Sequence, residues 1–195
     1  APPESALTIS LFCYANNALP ALLDTWAEGD DEIVCMVPEG VAQAVLDRWT
    51  GGAVPHPGKP FARGRLTLAV AAFVDQDGFD RRLWACDLNF VRGEDSWVRA
   101  QWAGRPFIWH IYPQDENLHH VKLRAFLQKY AANTQSLVDF SLCWNGTREG
   151  HMDALWTSLQ AELPSIVRRA LDWEAQMLAN GDLVSNLLNF ARSLR

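Results

Sequence analysis

At 195 residues, 49% apolar and 21% charged, the chain has the make-up of a globular protein with one well-cored domain, or a domain with a helical appendix. A net charge of -6 argues against broad nucleic-acid binding, which needs a basic surface to displace counterions, but leaves room for one local basic pocket. No apolar stretch approaches the length of a membrane span and no signal peptide precedes the first strand, so no membrane partner is expected.

The start at Ala1-Pro2-Pro3, without an initiator Met, reads as a trimmed linker. Leu7 to Tyr14 is a β-rich run that ends in the polar loop at Asn16-Asn17. Leu19 to Trp26 has helical spacing, with Pro20 tolerated in the first turn. Glu32 to Val37 is a second strand stopped by Pro38, and Val41 to Trp49 is a second amphipathic helix ended by Gly51-Gly52. Ala53 to Pro60 is a loop, Arg65 to Phe73 a third strand, and Gln76 to Trp84 a loop with a short helix.

The stretch from Trp84 to Gln114 is the most informative. Asp87 opens an apolar strand, Leu88 to Val91, which runs into the tight turn Arg92-Gly93-Glu94-Asp95-Ser96. A helix follows from Trp97 to Ala103, stopped by Gly104 and Pro106, and a fifth strand covers Phe107 to Ile111. Strands joined by crossover segments predict an α/β fold with a Rossmann-like, mostly parallel sheet, flanked by helices on both faces. After Pro113 the spacing is helical throughout (121–131, 135–144, 152–163, 166–178 and 183–194), so residues 115–195 form an all-helical tail, more than such a sheet needs for cover. Part of that tail is expected to pack against a domain this chain lacks.

Cys13, Cys35, Cys86 and Cys143 are widely spaced and form no CxxC pair, which points to a reducing cytoplasm without disulfides. Nine Trp residues are a surplus that implies either stacked ligands or heavily packed helix faces. His119 and His120, with Asp115 and Glu116, superficially look like a metal cluster, but adjacent His rarely point at one ion, so no metal is expected. Asn145-Gly146-Thr147 reads as a helix-ending turn.

The order and composition of LFCY at 11 to 14, WACDLNFVRGEDS at 84 to 96 and RAQWAGRPFIWHIYPQ at 99 to 114 resemble the donor-binding half of GT-B glycosyltransferases. At finer grain they resemble one family, the bacterial protein-arginine rhamnosyltransferases of elongation factor P, the EarP family. The resemblance implies transfer of rhamnose from dTDP-β-L-rhamnose to an arginine of elongation factor P, with inversion and without a metal. Family members are about twice this long and hold their catalytic aspartates in an N-terminal domain. The whole chain, 1–195, is therefore expected to be the C-terminal donor-binding domain, inactive without its N-terminal half, and no residue in it is assigned the base role. Ala15 departs from the family, where an acidic residue would follow the first strand.

Each candidate residue has two readings. Arg92 offers a planar fork for phosphate oxygens, and the N–H groups of Asp95 and Ser96, with the Ser96 hydroxyl, add donors at the helix start. Alternatively Arg92 is a surface ion-pair partner, and Asp95 or Ser96 simply an N-cap. Gly93 makes the turn. Glu94, placed by the resemblance among the donor contacts, either accepts from sugar hydroxyls in support of the chemistry or orients Arg92. Phe79 offers a stacking face and Gln76 an amide for a pyrimidine base, against the reading of Phe79 as core. The resemblance adds Phe12 and Tyr14 to the donor pocket, while Tyr112 and Gln114 leave the fifth strand at the same rim. Two other functions compete: another GT-B nucleotide-sugar enzyme of the 2-epimerase type, and a non-enzymatic docking module for elongation factor P.

Overall fold

The computed structural model describes residues 6–53 and 55–194. The expected linker at Ala1 to Pro3 lies outside them, as does Val54 of the expected loop.

Apolar runs too short for helices form the strands β1 (Leu7–Leu11), β2 (Ile33–Pro38), β3 (Phe61–Arg63), β4 (Leu66–Ala71), β5 (Leu88–Arg92) and β6 (Phe107–His110). They make one six-stranded sheet in the order β3-β4-β2-β1-β5-β6, parallel except for β3, which pairs antiparallel with β4 at the edge. The expected mostly parallel sheet is present. The strand absent from the expectation is β3, a three-residue edge strand framed by Pro60 and Gly64. The crossovers are α1 (Leu19–Glu28), α2 (Gln43–Trp49), α3 (Gln76–Ala85) and α4 (Asp95–Trp102).

Boundaries shift for identifiable reasons. β1 stops at Leu11 and β4 at Ala71, rather than Tyr14 and Phe73, so residues beyond both strands are released to the sheet rim. α2 starts at Gln43 because Ala42 takes a left-handed φ of 53°. α3 is helical from Gln76 onward, capped by the Asp75 carboxylate, which accepts from the Gly78 amide at 2.8 Å.

Alternation along the central strands sorts the aromatic core onto both faces. On one face Phe90 meets Trp26 of α1, and Phe140 and Trp144 of α6 (Gln135–Trp144). On the other, Trp109 stacks on Trp97 of α4 at 4.4 Å and meets Phe126 of α5 (Leu118–Tyr130) edge-on. The Trp surplus therefore mostly joins helices to the sheet. Helices α7 (Met152–Ala161) and α8 (Leu163–Ala179) complete the two layers. The last helix, α9 (Leu183–Ser193), is exposed throughout, with Leu183, Val184, Leu187, Leu188 and Phe190 all more than half open to solvent.

Two polar residues fix the frame rather than the site. The Asp87 carboxylate accepts from the Thr8 amide (2.8 Å) and hydroxyl (2.6 Å), tying the entry of β5 to β1. Asn145 accepts from the Ile111 amide at 3.0 Å and donates to the Trp109 and Ser141 carbonyls, both at 2.8 Å, pinning the end of α6 to β6. Among the described residues, no helix is long and apolar enough to cross a membrane.

Candidate functional site

β1 and β5 lie side by side, and the chain leaves them toward opposite edges of the sheet. Such a switch point opens a crevice at the carboxyl ends of the strands, the usual ligand position in open α/β sheets. A cavity of about 550 Å³ occupies it. Phe12, Tyr14, Gln76, Phe79, Arg92, Gly93, Glu94, Asp95 and Ser96 all line this cavity, so segments far apart in sequence meet there.

Arg92 is the centre of the arrangement. Its guanidinium lies 4.2 Å from the centre of the Phe12 ring and 5.0 Å from that of Tyr14, and Nη1 donates to the Cys13 carbonyl at 3.1 Å. Among the described residues no carboxylate pairs with it. A fixed cation with spare donors, backed by aromatic faces, is suited to an anion.

The adjacent carboxylates are each matched to a cation of the chain. Glu94 pairs with Lys122 of α5 at 3.1 Å, not with Arg92, and Asp95 lies 3.7 Å from Arg99, which itself pairs with Asp80 at 2.8 Å. These pairs temper the repulsion an incoming anion would meet from Glu94 and Asp95. The Ser96 hydroxyl accepts from the Arg92 amide at 3.0 Å and donates to the Arg92 carbonyl, so it closes the turn; the N-cap is Glu94, whose side chain makes no capping bond.

Gly93 adopts a left-handed φ of 62°; its amide donates to the His110 carbonyl at 3.1 Å and its carbonyl accepts from Trp109 Nε1 at 2.6 Å. Tyr14 folds across this glycine, held edge-on by His110 at 5.4 Å and Tyr112 at 5.6 Å. Burial raises the Tyr14 hydroxyl above its ordinary pKa, with nearby Arg92 pulling it back. Burial pushes the Cys13 thiol up to about 12, which leaves it inert as a nucleophile. His110 is lowered to about 4 by burial first and Arg92 second, and is neutral at pH 7.

At the other end of the cavity, Phe79 meets Phe12 edge-on at 5.7 Å, and Gln76 stands in the first turn of α3. Tyr112 and Gln114 do not line the cavity; Tyr112 borders it through Tyr14, and Gln114 lies farther along the exposed loop. Phe73, Asp75, Arg82 and Arg99 also line it, although their immediate sequence context singles none of them out as a site residue. Arg82 was recoverable, since Gln76, Phe79 and Arg82 recur every three residues along one helix side. Phe73, 82% exposed past the end of β4, carried no such signal. Among the described residues, no group of three or more His, Cys, Asp or Glu could hold a metal ion.

Residues 1–192 match the family described as elongation factor P (EF-P) rhamnosyltransferase EarP. A protein-arginine rhamnosyltransferase of Pseudomonas putida is 44% identical over 193 residues, covering 96% of this chain and 51% of its own length. One from Pseudomonas aeruginosa is 42% identical over 187 residues, covering 93% of this chain and 49% of its own. The chain thus spans about half the length of the curated relatives it matches. A solved structure, described as the structural basis for EarP-mediated arginine glycosylation of translation elongation factor EF-P, superposes with a TM-score of 0.86. It is 39% identical, with 99% of this chain and 62% of that one covered. By these matches, the chain belongs to the EarP family of elongation factor P rhamnosyltransferases.

Proposed function

We propose that this chain is the donor-binding half of a protein-arginine rhamnosyltransferase. The enzyme transfers rhamnose from dTDP-β-L-rhamnose to an arginine guanidinium of elongation factor P, with inversion, in the cytoplasm. The observation that carries the reading is Arg92: a cation without a carboxylate partner among the described residues, fixed at the switch point of a family member's sheet.

In this reading the thymine lies against Phe79, with Gln76 reading its edge, and the diphosphate lies beside Arg92 and the start of α4. An acceptor nitrogen attacks the anomeric carbon as the bond to the diphosphate oxygen breaks, and dTDP leaves. Arg92 and the backbone N–H groups near Asp95 stabilise the charge that grows on the departing diphosphate, without a metal. Glu94, oriented by Lys122, accepts from sugar hydroxyls. The guanidinium proton goes to a base in the portion of the relatives that this chain does not cover. The apolar side of α9 supplies a surface on which that portion packs.

Calorimetric titration of the chain with dTDP-rhamnose, dTDP and a UDP-sugar tests the proposal. The thymidine ligands should bind in preference to the UDP-sugar. Preference for the UDP-sugar would favour another nucleotide-sugar enzyme, and capture of elongation factor P without nucleotide affinity would favour a docking module.

A further inference from the structure

The loop after β6 carries Tyr112 and Gln114 past the cavity rim, and its own preferences do not hold it there. Tyr112 is 55% exposed, and the turn that ends the loop takes two consecutive left-handed residues that are not glycine, Glu116 (φ 56°) and Asn117 (φ 58°). Asn takes that conformation readily, but for Glu116 it costs about 1–2 kcal/mol that its surroundings must offset. One restraint comes from Asn145, which holds the Ile111 amide at the start of the loop. The other lies across the turn, where the Gln114 amide donates to Nδ1 of His119 at 3.1 Å.

His119 stands in the first turn of α5 and is 8% exposed, so its ring is fixed by the fold while its Nδ1 faces the loop. Because the donor is a backbone N–H, Nδ1 must present a lone pair, with the ring proton on Nε2. We propose that His119 is the positioning residue of the cavity rim. It clamps Gln114, which sets Tyr112 edge-on to Tyr14 at 5.6 Å, and Tyr14 in turn closes the Arg92 end of the cavity. His119 itself lines no part of that cavity and acts only through the loop. The inference rests on the proposed reading of the cavity as a nucleotide-sugar site in one respect: the diphosphate and sugar, not the base, depend on the clamp.

Two variants of the chain separate the clamp from simple packing. His119→Phe keeps a ring and loses the acceptor, whereas His119→Asn keeps an acceptor close to the position of Nδ1. Amide hydrogen exchange at Gln114 should be slow in the parent and the Asn variant and about fivefold faster in the Phe variant. The dissociation constant for dTDP-rhamnose should rise by about fivefold in the Phe variant and recover in the Asn variant, with thymidine binding unchanged in both. Rapid exchange at Gln114 in the parent chain would overturn the clamp. Equal losses for dTDP-rhamnose and thymidine would overturn the positioning role, leaving His119 a packing residue. Should the parent bind no nucleotide at all, the donor reading fails, and the Gln114 exchange rates alone uphold or overturn the clamp.

Discussion

The hydroxyl oxygen of Tyr14 stands 2.7 Å from the point a Cβ on Gly93 would occupy. The phenol crosses the turn of β5 only because that turn has no side chain, and the φ of 62° demands glycine for a separate reason. Gly93→Ala should therefore lose about 2–3 kcal/mol of stability, from the left-handed backbone and from the clash. Tyr14→Phe removes the clashing oxygen but not the backbone strain. In a double-mutant cycle by urea unfolding, the Ala substitution should cost about 1 kcal/mol less in the Phe background. Equal costs in both backgrounds would show that the close approach has no energetic consequence.

Arg92→Ala should weaken dTDP-rhamnose binding roughly tenfold to a hundredfold, the worth of charge-assisted hydrogen bonds to an anion. Arg92→Lys should recover only part of this, because an ammonium lacks the planar fork and the flat contact with Phe12. Calorimetry on the three proteins checks both statements, and full recovery by Lys would reduce Arg92 to a point charge.

The sheet was legible because parallel buried strands read as short apolar runs, and Leu88 to Val91 and Phe107 to Ile111 have that form. β3 was not, since Phe61–Arg63 is too short to show alternation and exists only through its pairing with β4. The turn at 92 to 96 was legible as a turn, yet its internal bonds were not. Glu94, Asp95 and Ser96 could each cap a helix on sequence grounds. None of the three side chains makes a capping bond: Glu94 pairs with Lys122, brought in from α5 by packing, Asp95 lies beside Arg99 one turn along its own helix, and Ser96 bonds back to Arg92. Phe73 shows the same limit: its place in the cavity wall depends on where β4 lets go of β2.

Acid should destabilise the protein through His110. Its folded pKa of about 4 lies below the ordinary 6.5, so between these values the unfolded chain binds more protons. The stability due to the neutral ring is complete above about pH 6.5, falls as the pH drops toward 4, and changes no further below that. The whole effect is on the order of 3 kcal/mol. Unfolding curves between pH 4 and 7 should show this slope, and His110→Phe should flatten it. Arg92→Ala should shift the His110 titration upward, because the second cause of the depression is removed.

Asn145 makes three hydrogen bonds to backbone, one to Ser141 within α6 and two, to Trp109 and Ile111, that join α6 to β6. Asn145→Ala leaves those backbone groups without side-chain partners and should cost about 1–3 kcal/mol. Asn145→Asp keeps the acceptor for Ile111 but loses both donors, and should also destabilise. Chemical denaturation of the two variants measures this, and parental stability in the Asp variant would contradict the donor role.

The position of a bound nucleotide decides whether Arg92 meets the diphosphate. A crystal structure of the chain with dTDP-rhamnose should show the diphosphate within hydrogen-bonding distance of the Arg92 guanidinium and the thymine against Phe79. A nucleotide bound elsewhere, such as the groove between α1 and α7, with Arg92 touching no phosphate, would contradict that placement.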